Sequence, residues 1–330
     1  MLQVAIGLDI GGTKMAGGIV DFDGNILYSH TVATPAEFPD LEHDLMWLVG
    51  HMLEAASGKG DSPVEGAPFE VVGVGVAVPG SVDRNQGVAM RAANLPWQDF
   101  HICQMIEDKF GVSAKLENDA DAAALGALRY AAEARGIENF VFMTIGTGVG
   151  GGIIMNGLLH GGPWPLAGEI GHIIVEPDGA QCNCGTKGCL EALASGTAIG
   201  REGTQAAKAA QKGKLWETYQ EKGEVTAADV TQAADKGDEL ANKVLAEAGR
   251  YLAIGILNIQ RLLSPQAILV GGGVVTQSDA LLRAVDKAMP SLHPDFRANV
   301  LQMKGGSVSG VKGAAAIAWE EIAKKMSHKV

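Results

Sequence analysis

The run Cys182-Asn183-Cys184-Gly185-Thr186-Lys187-Gly188-Cys189-Leu190-Glu191 puts three thiols into one short glycine-containing loop. His172 lies just upstream, in Gly168-Glu169-Ile170-Gly171-His172. Three thiolates and one imidazole are a full tetrahedral ligand set for Zn²⁺. The spacing C-x-C-x₄-C, with glycines at the bends, favours metal over the two other readings, a disulfide and a buried cysteine cluster. His172, Cys182, Cys184 and Cys189 are therefore the candidate ligands. Four protein ligands leave no open position, so the zinc is expected to be structural. Glu169 and Glu191 flank the set. Carboxylates accept hydrogen bonds from vicinal hydroxyls, and a metal-fixed imidazole keeps one nitrogen for a second partner. Surface carboxylates are the plainer reading of both.

Two glycine-containing tips suggest anion chemistry. Gly11-Gly12-Thr13 follows Asp9 and precedes Lys14, and Gly146-Thr147-Gly148 occupies a similar place later in the chain. Glycine lets backbone N–H groups approach an anion, and threonine adds a hydroxyl. Asp9 could hold Mg²⁺ through water. The pattern G-x-x-x-x-G-K-[ST] of a P-loop is absent. Two such tips could clamp a polyphosphate, whereas either alone could be an ordinary hairpin. Asn118-Asp119 opens an alanine-rich segment. Both residues are favoured helix caps. An aspartate there could also serve as a general base, kept ionised by the helix N-terminus and tuned by its surroundings. Asp121 is read as pointing elsewhere and solvated.

These residues need a scaffold. Val4–Asp9 and Met15–Val20 read as strands around the first tip, followed by an Asp23-Gly24 turn and a strand from Ile26. Leu41–Ala56 has helical spacing, Val71–Val78 is an apolar strand stopped by Pro79-Gly80, and Phe100–Phe110 is an amphipathic helix. A short strand, Ala114–Leu116, runs into Asn118-Asp119, and the following helix extends to about Arg135. Phe140–Ile145, the second tip and Asn156-Gly157 repeat the opening order of strand, Gly/Thr turn, strand and tight turn. That order implies a duplicated α/β domain. Beyond the cysteines, Ala192–Gln211, Ala227–Ala234 and Asp238–Leu263 are helical, Ala267–Val270 is a strand leading to Gly271-Gly272-Gly273, and Gly313–Lys325 closes the chain as a helix.

Composition bounds the function. The chain has 330 residues, 47% hydrophobic and 19% charged, with a net charge of −12. Two globular domains are expected. The acidic balance, with no cationic run, argues against a nucleic-acid partner. The uncharged run Phe140–Leu159 is crowded with glycines and reads as hairpin, so no membrane partner is expected. There is no basic segment followed by an apolar one at the start. Cys103 stands apart from the loop as a small buried hydrophobe, and four cysteines without a disulfide framework fit the cytoplasm.

The motifs Asp9-Ile10-Gly11-Gly12-Thr13-Lys14, Glu117-Asn118-Asp119-Ala120, Ile145 to Gly152, Glu169-Ile170-Gly171-His172 and Cys182 to Glu191 come in one order. In that order they resemble the ROK family (repressors, open reading frames, kinases) over nearly the whole chain, Ile6 to Ala318. Within it the pattern is most similar to the bacterial zinc-containing glucokinases. The resemblance implies an actin-like, hexokinase-type (ribonuclease H-like) duplicated α/β fold. Its two domains would be residues 1–117, joined by a helix at about 314–330, and 118–313 with the zinc loop, the sugar lying in the cleft. It implies ATP-dependent phosphorylation of glucose at the 6-hydroxyl, with Asp119 as base. Gly80, Asn94, Asn118, Glu169, His172 and Glu191 would join Asp119 in holding the sugar. ATP with Mg²⁺ would lie on Asp9, Gly11, Gly12, Thr13, Lys14, Gly146, Thr147 and Gly148, with Gly271 and Gly272 near the adenosine. The resemblance also implies a homo-oligomer, a dimer or a tetramer. N-acetylmannosamine, N-acetylglucosamine, mannose and fructose stand as other substrates, and polyphosphate as another donor. Asp121 departs from the asparagine common in the family and alters the charge near Asn118. The family's repressors carry a helix-turn-helix ahead of this fold. Here the first tip begins within about ten residues of Met1, so an enzyme is expected. A non-catalytic sugar sensor would be expected to lack the base, yet Asp119 is present.

Overall fold

The computed structural model describes residues 1–59, 64–92, 95–162, 164, 166–294, 298–303 and 309–327. The chain forms two compact units. One comprises Met1–Arg135, Leu159–Ala167 and Val308–Val330, the other Gly136–Leu158 and Gly168–Ser307.

In the first unit, β1 (Gln3–Ile10), β2 (Lys14–Asp21) and β3 (Ile26–Ala33) make an antiparallel meander. β4 (Glu70–Val78) then pairs parallel to β1. A small sheet of β5 (Ser81–Asp83), β6 (Val88–Arg91) and β7 (Gln98–Phe100) intervenes before β8 (Ala114–Asn118), which pairs parallel to β4. The main sheet order is β3-β2-β1-β4-β8. β1 is apolar on both faces, as a strand covered on both sides must be. Its Val4, Ile6 and Leu8 pack with Leu41, Leu45, Leu48 and Met52 of the helix Phe38–Ser57. Its Ala5 packs with Val311, Ala315, Ala318 and Trp319 of the helix Gly310–Ser327. That second helix lies with its backbone directly on the sheet. A Cβ at Gly7 would overlap the Val311 carbonyl, and one at Gly75 the Ala314 carbonyl.

The helix Asp119–Tyr130 belongs to the same unit. A Cβ on Gly313 would come 2.8 Å from the Ala122 carbonyl oxygen, so the two helices touch backbone to backbone. The division between units therefore falls at Arg135, beyond this helix, and not at 117/118 ahead of it.

The second unit repeats the plan. β9 (Phe140–Ile145) pairs antiparallel with β10 (Val149–Met155), and β11 (Leu158–Leu159) follows. β12 (Ala267–Gly271) pairs parallel to β9, and β13 (Val300–Gln302) parallel to β12. The order β11-β10-β9-β12-β13 again centres on the first strand, which bears out the duplication. Val141, Met143 and Ile145 face Ile199, Leu252, Ile256 and Leu281 of the covering helices.

Candidate active site

β8 delivers Asn118 to the N-cap of the helix Asp119–Tyr130. The Asn118 Oδ1 accepts from the Ala120 amide at 2.8 Å and from the Asp121 amide at 3.4 Å. Its Nδ2 donates to the Gly80 carbonyl at 2.9 Å. The cap therefore uses both ends of the amide and ties the helix start to the β4–β5 turn. Gly80 sits at φ +83°, where a Cβ would also overlap the Arg91 carbonyl, so only glycine serves. Asp119 occupies the first helical position with an exposed side chain. Its Oδ1 also accepts from the Ala120 amide, at 2.8 Å. An exposed carboxylate held by its own helix N-terminus has the placement a general base needs.

Asp121 is buried, not solvated, at 4% exposure. Its Oδ2 accepts from the Arg84 guanidinium at 3.0 Å, and the same guanidinium donates through Nε to Glu117 Oε2 at 3.1 Å. The added negative charge at 121 thus faces a cation. Arg84 was missed in the sequence because it reads as one more polar residue in the turn Asp83-Arg84-Asn85-Gln86.

The first tip closes on itself. The Gly11 amide donates to the Lys14 carbonyl at 2.9 Å, and Thr34 Oγ1 donates to the Gly11 carbonyl at 2.6 Å. Among the described residues, nothing accepts from the amides of Gly12 and Thr13. Asp9 lies behind the tip. Burial pushes its carboxyl above the ordinary range, with Lys14 pulling the other way. A Cβ on Gly310 would overlap that carboxylate, so the C-terminal helix begins against it.

The second tip has the same construction. The Gly146 amide donates to the Gly148 carbonyl at 3.0 Å, and among the described residues nothing accepts from the amides of Thr147 and Gly148. The helix Gly196–Ala210 starts against it. The Gly196 amide donates to the Gly146 carbonyl at 2.8 Å, and Thr197 Oγ1 to the Thr147 carbonyl at 2.8 Å. Gly272, at φ +96°, backs onto Ile145, and a Cβ there would lie 2.6 Å from the Ile145 nitrogen. Gly271 ends β12 beside it. Each tip by itself offers unused amides of the kind that can face an anion, and a Cβ at Gly146 would meet nothing within 4 Å.

The thiols and His172 converge. Their ligand atoms all lie within 4.8 Å of one another. Cys184 Sγ is 3.6 Å from Cys189 Sγ, and Cys182 Sγ is 3.7 Å from His172 Nδ1. A Zn–S bond of ~2.3 Å sets a tetrahedral edge of ~3.8 Å, so the cluster fits zinc. The donor set agrees. Hydrogen bonds from Thr186 hold the Cys184 thiol down to about 6, while burial raises Cys182 and pushes Cys189 up to about 12. A bound dication is what lets three such thiols ionise together. His172 turns Nδ1 to the cluster and Nε2 to Glu169 Oε2, 3.7 Å away, the usual carboxylate–histidine arrangement behind a metal. Burial raises the Glu169 carboxyl, His172 lowers it and Glu191 raises it. Glu191 Oε2 accepts from the Val149 amide at 3.0 Å, and a Cβ on Gly148 would overlap that carboxylate. Glu191 therefore joins the metal loop to the second tip.

Within the first unit the structure gathers Asp9, Gly11, Gly12, Thr13 and Lys14 at one turn, and Gly80, Asn118 and Asp119 at another. Within the second it gathers Gly146, Thr147, Gly148 and Gly272, and, adjoining them through Glu191, Glu169 with the four candidate metal ligands His172, Cys182, Cys184 and Cys189. Asn94 lies outside the described residues.

The model of the ROK family matches residues 5–321. The chain belongs to the ROK family. A glucokinase of Halalkalibacterium halodurans is 34% identical over 313 residues, 92% of this chain and 93% of that protein. An N-acetylmannosamine kinase of Yersinia pseudotuberculosis is 32% identical, covering 94% and 96%. The crystal structure of a ROK family glucokinase from Streptomyces griseus, in complex with glucose and AMPPNP, superposes with a TM-score of 0.78 at 32% identity, covering 96% of this chain and 99% of that one. The duplicated α/β architecture is thus the actin-like, hexokinase-type fold. Among the described residues, no helix is long and apolar enough to cross a membrane.

Proposed function

We propose that this ROK protein is an ATP-dependent sugar kinase whose preferred substrate is glucose, phosphorylated at the 6-hydroxyl. The observation that carries the reading is the helix start at Asn118-Asp119, where a capping asparagine is followed by an exposed carboxylate at the first helical position. Asp119 takes the proton of the sugar hydroxyl as its oxygen attacks the terminal phosphoryl group. Asn118, Gly80, Glu169, His172 and Glu191 hold the remaining hydroxyls and aim the 6-oxygen. Asp9, Gly11 to Lys14 and Gly146 to Gly148 hold the phosphates, and Gly271 and Gly272 adjoin the adenosine. Mg²⁺ bound with the nucleotide would supply positive charge to the transferring group. Zinc would order the loop that carries Glu169 and Glu191 and takes no part in transfer.

The relatives support this reading. The first reported above is a glucokinase, and the Streptomyces griseus structure holds glucose and a nucleotide analogue. A second reading, an N-acetylmannosamine kinase, rests on a relative of almost equal identity. A coupled ADP-release assay over glucose, mannose, fructose, N-acetylglucosamine and N-acetylmannosamine decides between them. Glucose should give the highest kcat/KM. A higher value for another sugar removes glucose and leaves the kinase reading, and no ADP release with any sugar removes both.

A further inference from the structure

We propose that Arg84 is a positioning residue for the base, and that Gly161 is glycine to make room for it; the inference rests on Asp119 being that base. One guanidinium holds the carboxylates of residues 117 and 121, which straddle Asn118-Asp119. The distances are 3.1 Å to Glu117 and 3.0 Å to Asp121. Both acids are largely withdrawn from solvent, at 12% and 5% side-chain exposure, and Arg84 is 25% exposed. Charge-assisted hydrogen bonds of this kind are the stronger ones, and an arginine fork fixes direction as well as distance.

The anchor is itself fixed. Arg84 follows β5 in a turn where Asp83 Oδ1 accepts from the amides of Asn85 and Gln86, each at 3.0 Å. Just before β5 begins, the chain has already met the base segment, because the Gly80 carbonyl accepts from Asn118 Nδ2. The segment Gly80–Arg84 therefore grips residues 117, 118 and 121, and Asp119 is carried between those grips. Gly161 lies against the remaining guanidinium nitrogen, where a Cβ would overlap Arg84 Nη1. An alanine there would displace a flexible side-chain end and no backbone, so it moves Arg84 at small cost to the fold.

Without the fork, two poorly solvated carboxylates flank a third, and the helix start shifts. Misplacing a reacting group by about 1 Å costs on the order of 100-fold. The experiment measures kcat, sugar KM and MgATP KM for wild type, Arg84→Gln, Arg84→Lys, Gly161→Ala and Asp119→Asn, with circular dichroism and melting temperature for each. Arg84→Gln should lower kcat by about 10- to 100-fold and Gly161→Ala by about tenfold, with either KM moving less than about threefold. Arg84→Lys should fall between wild type and Arg84→Gln, because an ammonium keeps the charge and loses the fork. A folded Arg84→Gln or Gly161→Ala protein with kcat within about twofold of wild type overturns the proposal, as does a loss confined to KM. If Arg84→Gln is insoluble, Gly161→Ala decides, since it keeps every charge. Asp119→Asn tests the underlying reading separately: if it keeps more than about a tenth of wild-type kcat, the base assignment falls and this proposal with it.

Discussion

Removing metal from the cysteine loop should loosen the second unit and the sugar grip together. The loop has little apolar support: its own cluster is Cys182, Cys189 and Ala192, with Ala180 packed beside them. Its backbone is held by a few turns, among them Cys182 to Thr186 and Gly188 to Ala180. Zinc would tie His172 to Cys182, a separation of 10 residues, and Cys184 to Cys189, a separation of 5. Closing loops of this size removes chain entropy worth about 2–3 kcal/mol each in the cross-link model, and realised gains are smaller. A net loss of about 3 kcal/mol lowers the melting temperature of a unit this size by about 6–12 °C. The same loss frees Cys189, which caps the helix Leu190–Ala194, and with it Glu191. The assay is elemental analysis for about one zinc per chain, then melting and sugar KM for wild type, dialysed apoprotein and Cys184→Ala. Metal-free protein that melts within about 1 °C of the zinc form, with unchanged sugar KM, would refute the reasoning.

Gly146→Ala should fold normally, because a Cβ there meets nothing within 4 Å. It should raise the KM for MgATP by about tenfold or more while sugar KM stays near wild type; the reverse pattern would remove the second tip from the phosphate site. Asp9→Asn should lose most activity yet raise the melting temperature. Burial lifts the Asp9 carboxyl above its unfolded value, so the folded state holds its proton more tightly and stability falls as pH rises through that window. The advantage of Asp9→Asn should therefore be full at neutral pH and shrink as pH drops into the carboxylate range; an advantage that grows toward low pH contradicts the burial argument. Glu191→Gln should raise sugar KM and lower kcat together, each by about tenfold, through lost orientation. A change in MgATP KM alone would assign Glu191 to the second tip only.

Much of the site was legible because its signals are local. The cysteine spacing, the Gly/Thr tips and the Asn118-Asp119 cap each need only a few neighbouring residues. The duplication was legible from the repeated order of parts, and the strand orders β3-β2-β1-β4-β8 and β11-β10-β9-β12-β13 follow the same plan. What stayed hidden is non-local. Arg84 meets Asp121 across 37 residues, and no short pattern marks a lone arginine in a polar turn. β5, β6 and β7 are three or four residues long, too short for alternation to show. Ala192–Gln211 reads as one helix yet breaks at Ser195, whose hydroxyl caps a new helix while the next amide, Gly196, is taken by the Gly146 carbonyl. The polar helix Lys214–Lys222 buries only Leu215, so it has no apolar stripe to detect.

The central claim is that Asp119 removes the proton of a sugar hydroxyl during transfer from ATP. The most direct measurement is steady-state ADP release with glucose for wild type and Asp119→Asn, alongside glucose binding to both by calorimetry. The account predicts glucose-dependent turnover by wild type, and a mutant that binds glucose within a fewfold of wild type while kcat falls ~10²–10⁴-fold. A folded mutant that keeps more than about a tenth of wild-type kcat would contradict it.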